Sequence, residues 1–506
     1  MDGMMKETAQ VESLAASDEV ILYWEKQGRR MPDMETQVLL DGVPAGITDK
    51  THFTLSNLKA DTDYQVGIRQ LSGQDGLTEL HLRTGAGKQL LDVTKAPYGA
   101  VKDGRTKNTE ALQRAIDDCT KEQAVYLPAG IYMTGALRLH SDMELYLDEG
   151  AVLQGTDDPS DYLPKCWSRF EGTELLCYSS LLNLGELDHA GGFRCENVVI
   201  RGKGTIASGG SVLAERVICQ EREQLQGYLQ SLGDKINECE KPETIPGRVR
   251  PRLIQMCNCR NVALTGLTLK NGASWNVHMI YSEHIVTANC TFHSEGVWNG
   301  DGWDPDSSKD CTIFNCTFYT GDDSIAIKSG KNPEGNVINR PCTGIRIFDC
   351  RCACGHGIAI GSEMSGGVED VAIWDCDLSG SSYGIEIKGT GKRGGYVRGI
   401  RVMDSSVSRI LFHSVGYNDD GPGAPTAPQF EKCHFENIRV WGGYYNGDRE
   451  WTACDAIELC GFDTPGHELR DIVFRNVTLQ GGAAGRKQSL SLQACCNITF
   501  EGIRCL

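Results

Sequence analysis

Residues 287–318 read TANCTFHSEGVWNGDGWDPDSSKDCTIFNCTF. The strand-like hexamer at 287–292 returns at 313–318, and Cys290 and Cys316 stand 26 positions apart. The pattern recurs as Ile347-Phe348-Asp349-Cys350 and Ile373-Trp374-Asp375-Cys376, again with 26 positions between the cysteines. The gap from Cys316 to Cys350 is 34, which an insertion around 332–342 explains. Later segments fit the same scheme: Ile400-Arg401-Val402-Met403, Ile438-Arg439-Val440-Trp441, Ile472-Val473-Phe474-Arg475 and Ile498-Thr499-Phe500. A period of this size in strand-type sequence predicts an all-β solenoid, a right-handed parallel β-helix in which each rung buries its inner face on its neighbours.

Working outward, the solenoid extends from about 125 to the C-terminus, with long inserts at 156–193, 220–252 and 416–431. The second insert is highly charged and reads as a surface helix plus loop. Inserts in solenoids map to loops, often on the binding face. One further helix is expected after Asn108, as N-cap, with Leu112, Ala115, Ile116 and Cys119 as its apolar stripe. It would cover the open end of the solenoid, whose edge otherwise exposes unpaired backbone groups.

Upstream, from Asp18 to about Thr84, short alternating strands are separated by turn residues, as in Val38-Leu39-Leu40-Asp41-Gly42-Val43. This predicts a small β-sandwich. Gly85-Ala86-Gly87-Lys88 reads as a linker, so we expect residues 1–88 as the sandwich and 89–506 as the β-helix. Trp24 and the pattern ending Thr62-Asp63-Tyr64-Gln65-Val66 resemble a fibronectin type III domain, which implies a packing module without a site of its own.

The chain has 506 residues and a net charge of −18, which argues against nucleic acid as a partner. No apolar run is long enough to span a membrane. The start lacks a basic stretch leading into an apolar core, so a cytoplasmic protein is expected. The 22 cysteines then read as reduced thiols. Cys350, Cys352 and Cys354, and likewise Cys257 and Cys259, are spaced to share one strand face, where cysteine behaves as a small hydrophobe. No paired Cys-x-x-Cys spacing and no calcium-loop pattern appears, so neither metal nor cofactor is expected.

Three carboxylates mark the candidate site: Asp301 in Asn299-Gly300-Asp301-Gly302, and the pair Asp322 and Asp323 after Gly321. One strand and a turn on each side bring them to one sheet edge. Gathered carboxylates are what glycoside hydrolysis needs, one protonated and one ionised. Like-charged neighbours keep an acid protonated near neutral pH. Adjacent residues of a regular strand face opposite ways, so Asp322 and Asp323 share a cleft only if the backbone turns, which Gly321 permits. Trp275 faces either a sugar ring or the core.

Asn-x-Asp-Gly-x-Asp, then Gly-Asp-Asp, then Gly355-His356-Gly357, in this order, resemble the polygalacturonase family of glycoside hydrolases. The strings GDDSIAIKSG at 321–330 and IGSEMSGGV at 360–368 resemble its bacterial exo-acting members. The resemblance covers about residue 90 to the C-terminus. It implies inverting hydrolysis of α-linked galacturonides in a pectic substrate. Asp322 would be the general acid, Asp301 and Asp323 would hold and deprotonate the water, and His356 would bond and tune an aspartate. Asn299 would orient the Asp301 loop or touch sugar. The family usually shows Arg-Ile-Lys on the next rung, gripping the substrate carboxylate. Here Glu386-Ile387-Lys388 stands instead. Glu386 and Lys388 share a strand face, so Glu386 is expected to pair with Lys388 or accept a sugar hydroxyl, with Lys392, Arg393 and Arg398 available to compensate. The alternatives are a hydrolase of another pectic linkage, such as a rhamnogalacturonan, and a non-catalytic carbohydrate-binding β-helix. The complete aspartate set argues against the latter. A pectate lyase would need calcium and a basic catalytic residue, whose motifs are not evident.

Overall fold

The computed structural model describes residues 11–26, 35–71, 76–239, 241–416, 421–446, 449–480 and 489–506. The chain divides into two compact units, 1–90 with 121–124, and 91–120 with 125–506. The sequence reading placed 121–124 in the second unit. In the first of these units the Gln89 N–H donates to the Glu122 carbonyl at 3.0 Å.

The first unit is a two-sheet antiparallel sandwich. Val11–Ala15, Glu19–Trp24 and His52–Ser56 form one sheet, and Val43–Thr48, Thr36–Leu40, Asp63–Gln70 and Thr78–Arg83 the other. Alternate residues meet between the sheets in a core of Val20, Leu22, Trp24, Val38, Leu55, Val66, Ile68 and Leu82. The Lys59 N–H donates to the Tyr64 hydroxyl at 2.9 Å, tying the strand containing Tyr64 to the preceding loop.

The second unit is a right-handed parallel β-helix with sheets of 13, 13 and 11 strands. One rung is Glu283–Ala288, Thr291–His293 and Trp303–Asp306, and the next is Thr312–Phe314, Thr317–Tyr319 and Ile325–Ile327. The repeated Asn/Asp-Cys pair is explained by the turn between the first two strands of each rung. Asn289, Asn315, Asp349 and Asp375 all have positive φ there, a conformation that Asn and Asp tolerate best among residues with a side chain. The Asn315 amide donates to Asn289 Oδ1 at 2.7 Å, so the turns stack as a ladder. The following cysteines, Cys290, Cys316, Cys350 and Cys376, are buried beneath it. Phe314, Phe348 and Trp374 stack at centroid distances of 4.8 and 4.4 Å.

This corrects the cysteine reading. Cys350 sits after the turn residue, Cys352 ends the strand Arg351–Cys352, and Cys354 lies beyond it. Cys257 and Cys259 are separated by Asn258 at positive φ and belong to different strands. All 22 cysteines are free thiols.

The helix Thr109–Asp117 buries Leu112, Ala115 and Ile116 in the solenoid core with Val125, Leu127 and Leu137. Asn108 occupies its N-cap position, yet its side chain caps nothing in the helix. It exchanges hydrogen bonds with the Val101 backbone instead. Cys119 lies past the helix end and is buried.

The inserts are more ordered than a loop reading suggests. The 156–193 stretch holds an antiparallel hairpin, Cys166–Phe170 with Thr173–Cys177, and its Leu182–Gly185 is a rung strand of the third sheet. The charged insert begins earlier than expected, with the helix Gly210–Gln224, which buries Leu213, Ala214, Val217 and Ile218. It continues as Gln226–Leu232 and Thr244–Gly247. Of the third insert, 417–420 lie outside the described residues, and the rung strand Gln429–Glu436 already starts within it.

Candidate active site

The third sheet carries the site on its outer face. In the strand Trp303–Asp306, Trp303 points into the solenoid core, so by alternation Asp304 and Asp306 point outward. In register with Asp304 is His278. Three rungs further on, Glu386 and Lys388 share that outer face on Gly384–Gly389. Just before the same strands lie Asp301, the Asp322-Asp323 pair and His356, on successive rungs. The Gly302 N–H donates to the Asp323 carbonyl at 3.0 Å, and the His356 N–H to the Asp322 carbonyl at 3.0 Å.

Gly321 does not bulge the chain through an unusual φ. It is required for space: a Cβ there would lie 2.7 Å from the Ser294 carbonyl oxygen and 2.8 Å from that of Val297. The close approach lets the next two residues bend back together. Asp322 keeps 25% of its side-chain surface open and Asp323 only 7%. Both reach one nitrogen, His356 Nδ1, at 3.0 and 3.2 Å. Burial would push the His356 ring toward neutrality, but the bonds to Asp322 and Asp323 raise its pKa to about 11. His356 is therefore an imidazolium whose Nδ1 proton serves the two carboxylates.

Asp323 is buried, which would favour its acid form. Lys388 at 3.5 Å and His356 outweigh that and hold it well below the usual carboxylate range. Lys388 in turn lies 2.8 Å from Glu386 Oε2, and Glu386 Oε1 lies 2.8 Å from His413 Nε2. Burial opposes the charge on Glu386, but Lys388 and His413 keep it ionised. The result is a line of alternating charge, Glu386, Lys388, Asp323 and His356, with the His413 ring against one end and the Asp322 carboxyl against the other. Of the two expectations for Glu386, the salt bridge to Lys388 is the one formed.

Asp301 behaves oppositely. It is buried, and burial together with Asp304, Asp322 and Asp323 raises its pKa well above normal, with Lys328 pulling the other way. Lys328 Nζ lies 3.2 Å from Asp301 and 3.3 Å from Asp304, and 3.8 Å above the centre of the Trp275 ring. Asp304 is raised to about 7, first by burial and then by Asp323. One ammonium between two buried carboxyls leaves one proton on the pair. The condition expected for Asp322, an acid held protonated by like charges, is thus met at Asp301. Asp304 closes the Asn-x-Asp-Gly-x-Asp motif and Lys328 lies in the string at 321–330, but neither was assigned a role from the sequence. The alternation in Trp303-Asp304-Pro305-Asp306, an acidic face on an otherwise buried strand, was the available signal.

Trp275 is core. It stacks on Phe170 at 4.7 Å and meets the His278 ring edge-on, flooring the site rather than facing a sugar. His278 is pushed down to about 3 by burial and is neutral, near Asp306 at 3.3 Å. Asp306 is held at about 2 against burial, chiefly by Arg169, whose Nη1 reaches it at 2.7 Å from the insert hairpin. Asn299, at positive φ, accepts from Arg250 Nη2 at 2.6 Å, which anchors the Asp301 loop. Arg250 is otherwise spent on the carbonyls of Gly247 and Trp298.

Two compensating cations are corrected. Arg393 is buried, donating to Asn332 Oδ1 at 2.7 Å and the Ser362 carbonyl at 2.9 Å, so its fork is used inside the fold. Arg398 lies on a first-sheet strand and pairs with Glu369 at 2.6 Å. Among the described residues, Asp322, Asp323 and His356 bring ligand-type atoms within 4.8 Å, as do Glu283, His284 and Asp310.

A buried carboxylate cluster in which one member is kept ionised and another protonated, set on a parallel β-helix, defines a hydrolytic site for acid–base chemistry. Residues 184–440 match the family described as glycosyl hydrolases family 28, and 93–151 match one described as rhamnogalacturonase A/epimerase, pectate lyase-like. The chain belongs to glycosyl hydrolase family 28. It is 27% identical over 481 residues to an exo-poly-alpha-D-galacturonosidase of Dickeya chrysanthemi, covering 89% of this chain and 78% of that protein. It is 32% identical over 327 residues to a probable polygalacturonase of Vitis vinifera, covering 62% and 60%. Its fold matches a family 28 exopolygalacturonase of Yersinia enterocolitica with a TM-score of 0.80, at 22% identity and 98% coverage of both chains. It also matches an exopolygalacturonase of Thermotoga maritima with a TM-score of 0.63, at 26% identity, covering 82% and 92%.

Proposed function

We propose that the protein hydrolyses α-linked galacturonides of pectin or pectic oligosaccharides from a chain end, with inversion. The observation that carries this is the Asp301, Asp322, Asp323 and His356 cluster, in a chain similar over most of its length to an exo-poly-alpha-D-galacturonosidase. Asp322, the most open of the three aspartates, delivers its proton to the glycosidic oxygen as the bond to the anomeric carbon breaks. Asp323, kept ionised, takes the proton of the attacking water, and Asp301 holds that water. Asp322 and Asp323 approach within 4.8 Å, tighter than the roughly 6.5–9.5 Å of ordinary inverting pairs, so inversion rests on the family resemblance. The free thiols fit work in a reducing compartment such as the cytoplasm.

A second reading, another pectic linkage such as a rhamnogalacturonan, draws on one observation: Glu386 neutralises Lys388, so this pair offers a substrate carboxylate no net positive charge. The two readings separate on polygalacturonate. Exo-acting hydrolysis releases monosaccharide from the first time points while viscosity falls little. A rapid viscosity drop with mixed oligomers would mean an open cleft, and no release would favour the second linkage.

A further inference from the structure

The column that carries Asp301, the Asp322-Asp323 pair and His356 does not end there. On the next two rungs the same place, just before the third-sheet strand, is taken by Tyr383 and then Arg409. The Tyr383 N–H donates to the His356 carbonyl at 3.0 Å, and the Ile385 N–H to the Arg409 carbonyl at 3.2 Å. The side chains continue the line. The Tyr383 ring meets the His356 ring edge-on at 4.8 Å, and the Arg409 guanidinium lies over the Tyr383 ring at 4.6 Å. Two rung spacings, on the order of 10 Å, separate Arg409 from the His356 contact to Asp322.

Arg409 differs from the cations packed around the carboxylate cluster, which are committed to carboxylates or, like Arg252 with the Arg250 and Arg169 carbonyls, to backbone. Lys328 is shared between Asp301 and Asp304, and Lys388 between Glu386 and Asp323. His356 serves Asp322 and Asp323, and Arg169 serves Asp306 and Glu174. Arg250 and Arg393 are turned into the fold. Among the described residues no carboxylate pairs with Arg409, and its buried Nε has no hydrogen-bond partner. A guanidinium stacked on an aromatic face keeps its fork of N–H donors pointed along the ring plane, and that fork matches a carboxylate.

We propose that Arg409, on the platform of Tyr383, binds the carboxylate of the uronic acid unit lying on the C-terminal side of the Asp322–His356 contact, and so sets the preference for an acidic sugar at that position. This rests on the galacturonide reading of the site. It also removes the difficulty that Glu386 raises, since the positive charge missing at 386 is supplied on the next rung.

The test is the steady-state kinetics of Arg409→Gln and Arg409→Lys on trigalacturonate at two salt concentrations. Removing a charge-assisted bond should lower kcat/KM about 10–150-fold, through KM with kcat largely kept. The salt dependence of KM should weaken with it. Arg409→Lys should fall between, because a point charge replaces the fork, and it carries the test alone if the Gln variant does not fold. Unchanged KM in both variants, or a loss confined to kcat, would overturn the assignment. Wild-type protein inert on trigalacturonate would overturn the galacturonide reading itself, and this inference with it.

Discussion

Replacing Lys328 by Met tests how the cluster divides its protons. The ammonium lies 3.2 Å from Asp301 and 3.3 Å from Asp304, all three groups buried. At an effective dielectric of about 20, each contact is worth about 5 kcal/mol before desolvation and the mutual repulsion of the carboxylates are set against it. Removing one partner of such a buried group typically costs about 3–5 kcal/mol. The molecule escapes part of that cost by binding a second proton, so Asp301 is driven further toward its acid form. The acid limb of kcat/KM should then move to higher pH, and activity at neutral pH should fall, because the carboxyl pair that shares one proton in the wild type then carries two. The sign for stability follows from the same shift. Asp301 and Asp304 already have folded pKa values above their unfolded ones, so acidification favours the fold through them. In the variant those values rise further. Its melting temperature should lie well below wild type at pH 8, and the gap should narrow as pH falls toward 5. Rates of reducing-end release from pH 4 to 8, with melting curves across the same range, decide the matter. Near-wild-type kcat/KM with an unmoved acid limb would refute the reasoning.

Asp322→Asn should lose about 10²–10⁴ in kcat with little change in binding, and near-normal turnover by the purified variant would remove Asp322 as the acid. His356 has its pKa raised to about 11. Its contribution is therefore complete below about pH 6.5 and is lost as pH rises toward 11. The melting-temperature gap between wild type and His356→Gln should be flat in acid and close in alkali, and a gap that widens with pH would contradict the imidazolium. Glu386→Arg should free Lys388 from its 2.8 Å partner and strand His413. If Arg409 already supplies the carboxylate contact, the swap should not improve trigalacturonate kcat/KM. A gain of tenfold or more would show that the 386 position limits carboxylate binding.

The rungs were legible because Asn/Asp-Cys marks each turn, at Asn289, Asn315, Asp349 and Asp375, and a turn that needs positive φ leaves a compositional mark. The grouping of Asp322, Asp323 and His356 was legible because one period of sequence is one rung of structure. The pairing of Glu386 with Lys388 followed from strand alternation alone. Asp304 and Lys328 were not, because a charged residue reads as exposed until a partner is known to be buried beside it. The role of the insert hairpin was out of reach for a similar reason. Arg169 meets Asp306, 137 residues away, across a contact with no local signature. Arg393 misled because proximity in sequence to Lys388 said nothing of direction, and its side chain turns to Asn332 and Ser362.

The central claim, that this aspartate cluster hydrolyses α-galacturonides by direct attack of water, is tested most directly by proton NMR of the first product formed from trigalacturonate. The account predicts free galacturonate appearing first as the β anomer, with the α anomer growing in only by mutarotation. An α anomer formed first, or an unsaturated product in place of a hydrolysed one, would contradict it.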